Sequence, residues 1–199
     1  MKKILALGLI GLVAITAAAR ADIIPSFIGT SSTGDPSNPD TVWSYSINIT
    51  SEQNATPGDF FTIYDFGSFL AGSATQPMGW TLTSSFLGTT PAQTNPNDDP
   101  SLLNLTWTYN GPTITGASPD GQGIGPFSVT VLGRPTLPRT SNFAAQGTLA
   151  GGPNAGSKVG NVGEIPVPTT IPEPSTFALV AVTGGLILIG RTVSRRRKS

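Results

Sequence analysis

Along the middle of the chain, apolar residues recur at every second position in several separate runs. Trp43, Tyr45, Ile47 and Ile49 alternate with Ser44, Ser46 and Asn48, and Leu103, Leu105, Trp107 and Tyr109 alternate with Asn104, Thr106 and Thr108. Trp80, Leu82 and Phe86 line one face of the run from 80 to 86. Phe127, Val129 and Val131 repeat the pattern, and Phe143, Ala145, Gly147 and Leu149 follow it more weakly. Period two predicts strands with one buried face. Phe60 to Phe66 is apolar on both faces, which predicts a central strand or one covered by a loop. Breakers separate the runs: Pro57-Gly58, Pro77, Pro91 through Pro100, Asn110-Gly111-Pro112, Pro119-Asp120-Gly121 and Pro135 through Pro138. No window carries a helical stripe. The expectation is one all-β domain over residues 22–165, a β-sandwich of jelly-roll or immunoglobulin-like topology.

Composition narrows what such a domain can do. The 199 residues include no Cys and no His. This excludes a Ser-His-Asp triad, a thiolate nucleophile, a disulfide framework and the usual zinc sites. The formal net charge is zero, but it is unevenly spread. Residues 22–171 hold ten acidic residues against Arg134, Arg139 and Lys158, a balance of −7. Nucleic acid is therefore an unfavourable partner. The compensating positive charge sits at the two ends, each next to a hydrophobic run.

Lys2 and Lys3 precede an apolar run from Ile4 to Ala19, and Ala19-Arg20-Ala21 offers small residues where a signal peptidase requires them. Residues 1–21 thus read as a signal peptide, cleaved between Ala21 and Asp22. At the other end, Phe177 to Ile189 is apolar, with Arg191 following and then Arg195, Arg196, Arg197 and Lys198. Residues 176–193 are a short candidate for a bilayer span of about 30 Å. Residues 194–199 would form a basic cytoplasmic tail. Residues 166–175 read as a Pro-rich stalk, although Val162 to Val167 also fits a last edge strand.

Immediately before the second hydrophobic run stand Pro172, Glu173 and Pro174. Pro-Glu-Pro, a single short hydrophobic helix and a terminal Arg cluster, in that order, resemble the PEP-CTERM sorting signal of Gram-negative bacteria. The resemblance covers residues 172–198 only. It implies that the chain is a substrate of an exosortase, a membrane-embedded transpeptidase-like enzyme. Pro172, Glu173 and Pro174 would be the recognised motif, and Arg195, Arg196, Arg197 and Lys198 the charges that retain the chain in the membrane. The prolines bias Ile171 and Glu173 toward extended conformations, which would present a strand-like peptide at the membrane face. The resemblance further implies a precursor anchored transiently in the inner membrane, then a protein at the cell surface or in an extracellular polysaccharide matrix.

Within the middle, each tryptophan shares a face with its strand's aliphatic residues, so core packing is favoured over a sugar-stacking platform. Asn95-Pro96-Asn97-Asp98-Asp99-Pro100 offers hard oxygen ligands for Ca²⁺ at Asp98 and Asp99, but matches no calcium loop in spacing. Asp120-Gly121 reads as a turn in a Gly-rich loop. Gly121 through Gly125 is no phosphate cradle, because no helix follows it. Asp59 and Asp65 flank the apolar strand about 20 Å apart, too far for a glycosidase pair. The expectation is a non-enzymatic structural or matrix-associated protein with no cofactor. Its partners would be the signal peptidase, the exosortase, the inner membrane and extracellular polysaccharide. The alternative is a carbohydrate-binding or adhesive module using surface aromatics or Ca²⁺. A carboxylate-dependent glycosidase is the third and weakest reading.

Overall fold

The computed structural model describes residues 22–34, 39–117, 119–132 and 137–169. The signal peptide, the Pro-Glu-Pro motif, the C-terminal hydrophobic run and the basic tail lie outside these residues. Ten strands make up the described fold: β1 (Ile23–Thr33), β2 (Asp40–Ile49), β3 (Gln53–Ala55), β4 (Phe60–Ile63), β5 (Trp80–Ser85), β6 (Asn104–Tyr109), β7 (Ile114–Thr115), β8 (Gln122–Val131), β9 (Pro138–Leu149) and β10 (Lys158–Pro168). Among the described residues there is no helix, and so none long and apolar enough to cross a membrane.

The strands form two wholly antiparallel sheets that pack as a sandwich. The smaller sheet has the order β1-β2-β8. In the larger sheet β9 pairs with β10 along one edge and with β3 and β4 along the other; β6 extends β4, β7 extends β3, and β5 pairs with β6. Because β3–β4 and β6–β7 are each two pieces of one broken track, that sheet is five strands wide.

The alternating runs become strands because alternation places one row of side chains between the sheets. Trp43, Tyr45, Ile47 and Ile49 point inward from β2, against Phe61 and Ile63 of β4, Leu105 and Trp107 of β6, and Phe143 and Ala145 of β9. Phe127 of β8 crosses the gap to meet Phe61 at 5.0 Å, Trp80 at 5.2 Å and Trp107 at 5.8 Å between ring centroids. Burying aromatic rings of this size supplies the largest share of the core's hydrophobic stabilisation.

Phe60 to Phe66 is buried on both faces for both of the reasons its pattern suggested. The strand β4 is central, between β6 and β9, and its outer face is roofed by the segment after β5. Thr62 Oγ1 and Tyr64 Oη donate to Thr89 O, at 2.7 and 2.9 Å. The roof lies so close that a Cβ at Gly88 would enter the Tyr64 ring and one at Gly160 would enter Pro91.

Three features depart from the sequence reading. Strand β1 carries Pro25 and a polar second half, which hid it. Its edge position tolerates the proline, and its register shift between Phe27 and Gly29 takes up the irregularity. Gln122 through Gly125, expected in a Gly-rich loop, is the first part of β8 and pairs with Ile47, Asn48 and Ile49. The last edge strand expected at Val162 to Val167 is present as β10, which runs on through Pro168 and takes up the first residues of the expected stalk, with Val167 fully buried. Any stalk therefore begins no earlier than Thr169.

Candidate functional site

Of the residues singled out for processing, Asp22 lies in the described fold; Ala19, Ala21, Pro172, Glu173, Pro174, Arg195, Arg196, Arg197 and Lys198 lie outside it. The backbone N–H of Asp22 donates to Thr50 Oγ1 at 2.9 Å, and Asp22 O accepts from Thr50 N at 3.1 Å. The fold is thus fastened from the residue next to the expected cleavage point.

Strand β10 ends at the other end of the sandwich. Asn161 Nδ2 donates to Ile23 O, so the start of β1 lies beside the first half of β10. Thr169 is eight residues further along, about 26 Å at the usual strand rise. Thr169 N donates to Leu137 O at 3.1 Å, and Tyr45 Oη donates to Pro166 O at 2.9 Å. The end of β10 and Thr169 are therefore held to the sandwich.

This end is braced by Asp65. Its backbone is left-handed, with φ of 52°, and its side chain is buried. Asp65 Oδ1 accepts from Asp99 N at 2.7 Å, Oδ2 accepts from Ser141 Oγ at 3.1 Å, and Arg139 Nη2 donates to Asp65 O. Asn104 extends the network: Oδ1 accepts from Asp65 N at 2.7 Å and Nδ2 donates to Asp98 Oδ1 at 2.9 Å. Asp98 Oδ2 accepts from Gly88 N at 3.0 Å, and Asp99 Oδ1 accepts from Ser101 N and Oγ at 2.9 and 2.7 Å. The hydrogen bonds from Ser101 hold the Asp99 carboxyl below the usual carboxylate range. The Asp98 and Asp99 carboxylates thus accept from protein donors and tie a loop to the core. Among the described residues no cluster of three metal-ligating side chains occurs.

A second charged centre was not foreseen. Asp59, fully buried, pairs with Lys158 Nζ at 2.7 Å. Its Oδ2 accepts from Thr56 N, Thr56 Oγ1 and Thr148 Oγ1 at 2.8, 3.0 and 2.8 Å. Lys158 is the sole lysine between residues 22 and 171. That was the available signal, although nothing in the sequence pairs it with a residue 99 positions away.

A groove of about 550 Å³ lies on the outer face of the smaller sheet. Ser26, Ser46, Asn48 and Asp120 line it together with Ile28 and Ile124. The groove is open, its lining is more apolar than polar, and Asn48 Nδ2 in its wall donates to Asp120 O at 3.1 Å. The three tryptophans do not contribute: Trp43, Trp80 and Trp107 are buried in the core. Comparison with protein-family models, with curated proteins and with solved structures finds no match to the chain.

Proposed function

We propose that the protein is an exported, non-enzymatic structural component of the cell surface or extracellular matrix, delivered through a PEP-CTERM-type sorting signal. The observation that carries this reading is the ordered set of Pro172-Glu173-Pro174, the apolar run from Phe177 to Ile189 and the basic cluster Arg195 to Lys198. Two features of the fold are consistent with it. Strand β1 begins at Ile23, close to the expected cleavage point, and β10 ends at Pro168 at the opposite end of the sandwich. The buried carboxylates Asp59 and Asp65 each serve internal hydrogen bonds, the role expected of structural rather than catalytic groups. In this reading the signal peptidase and the exosortase do the covalent chemistry, which a chain without Cys or His does not need to supply.

The test replaces Pro172, Glu173 and Pro174 with alanine and follows the chain in a host that carries an exosortase. The full-length precursor should accumulate in the inner membrane. Unchanged processing and surface release would overturn the sorting assignment.

The groove over Ser26, Ser46, Asn48 and Asp120 favours a second reading, a polysaccharide-binding module. A pull-down with extracellular polysaccharide, with and without EDTA, tests it. Retention that is lost in Asn48→Ala supports this reading, and no retention under either condition sinks it.

A further inference from the structure

An exposed strand edge is a template for another strand, and proteins that stay apart guard their edges with prolines, charges, bulges or short strands. Most edges of this sandwich carry such guards. Strand β1 has Pro25 and a bulge; β10 has Lys158, Glu164, Pro166 and Pro168; β7 is two residues long. Strand β8 has Pro126 and a register shift in its ladder, and Thr75 bridges its outer edge at Ser128. Strand β5 has none of these. Its ladder to β6 runs unbroken from Trp80↔Tyr109 to Ser85↔Asn104, and among the described residues no strand pairs with its other edge. Trp80 through Ser85 contains no proline and no charge.

The flanks of β5 are apolar and open. Met78 is 96% exposed, Phe86 57% and Leu87 79%. No Asp, Glu, Lys or Arg occurs from Phe66 to Asn97, and between Asp65 and Asp120 only Asp98 and Asp99 are charged. The rest of the domain carries a balance that sums to −7 over residues 22–171. Two copies therefore bring no like charges together along Trp80–Ser85 itself; the Asp98 carboxylate stands beside the far flank, where it accepts from Gly88 N at 3.0 Å.

We propose that β5 is a self-association edge, and that its partner is β5 of a second copy, paired antiparallel about a two-fold axis so that the two larger sheets become one. Self-pairing of a single patch is what a two-fold interface requires. With the axis at Leu82, that residue faces its own counterpart, and Trp80 through Ser84 of each copy lie opposite Ser84 through Trp80 of the other. In that register Phe86, just past the end of each strand, lies beside the Pro77–Trp80 turn of the other copy, on which Met78 is exposed.

The proposal stands on the fold and on charge, independently of the export route. Because the chain has no Cys, a single introduced thiol is an unambiguous probe. Opposed strand residues have Cα atoms about 4.5–5.5 Å apart, within reach of a short bis-maleimide. Leu82→Cys in the full chain, purified in mild detergent, should cross-link to a dimer, whereas Thr30→Cys on exposed β1 should not. Phe86→Asp, added to Leu82→Cys, should weaken the association by at least about tenfold, read as the protein concentration needed for half cross-linking. Circular dichroism matching the parent confirms that each variant is folded. Cross-linking of Leu82→Cys no better than that of Thr30→Cys overturns the proposal; a dimer held through residues 177–189 would give that pattern. A Leu82→Cys adduct with a different protein in place of the homodimer also overturns it.

Discussion

Replacing Lys158 by Met leaves the Asp59 carboxylate fully buried beside two threonines and no cation. Removing one partner of a buried ion pair costs about 3–5 kcal/mol, because the other charge stays out of water. Two features reduce that figure here. The Lys158 side chain is 42% exposed, so water can reach the vacated position, and Asp59 keeps three hydrogen bonds from Thr56 and Thr148. The expected loss is about 2–3 kcal/mol, a fall in melting temperature of about 5–10 °C for a domain of this size. Thermal and urea unfolding of the 22–169 fragment measure it. The double variant Asp59→Asn with Lys158→Met has no charge left to strand, so it should be at least about 1 kcal/mol more stable than Lys158→Met alone. A single variant within about 0.5 kcal/mol of the parent, or a double variant less stable than the single, would refute the reasoning.

Other perturbations probe separate parts of the fold. Gln53 is fully buried with neither amide atom hydrogen-bonded to another protein group; Gln53→Met should raise stability by about 1 kcal/mol, and a loss would show that the amide is satisfied. Asp65→Ala strands the Asp99 N–H and the Ser141 hydroxyl and puts alanine in a left-handed backbone, at a cost of about 3 kcal/mol. Limited proteolysis should then cut first in residues 97–103, and an unchanged pattern would argue against the brace. Burial pushes the phenols of Tyr45, Tyr64 and Tyr109 above their usual value, and these are all the tyrosines in the chain. Their stabilising contribution is complete below the unfolded tyrosine pKa of about 10 and is lost as pH rises toward the folded values. Stability should be level from about pH 6 to 9, since no His titrates there, and phenolate absorbance should then rise together with unfolding. Phenolate appearing near pH 10 in a folded protein would contradict this.

The legible part of the fold is the part written in alternation. Strands β2, β5, β6 and β9 and the second half of β8 announce themselves because every second residue enters one core, and β4 because both of its faces are covered. Trp43, Trp80 and Trp107 were readable as core from the faces they share with aliphatic neighbours. Strand β1 was hidden because an edge accepts Pro25 and needs few apolar residues. Phe86 was misleading: it continues the alternation of β5, but the strand stops at Ser85 and its ring is exposed. The Asp59–Lys158 pair and the Asp65 brace join residues far apart in sequence, and no local pattern encodes which long-range partner a carboxylate meets. The processing signals are the reverse case. They are read as linear peptides by other enzymes, so residue order alone makes them legible.

The most direct test of the account is the intact mass of the protein recovered from the surface of a host that processes it. The account predicts a chain that begins at Asp22 and has lost the apolar run from Phe177 to Ile189 together with Arg195, Arg196, Arg197 and Lys198. A mass of 20.5 kDa, that of all 199 residues, would contradict both processing events. A chain that begins at Asp22 but keeps its basic cluster would contradict the sorting assignment alone.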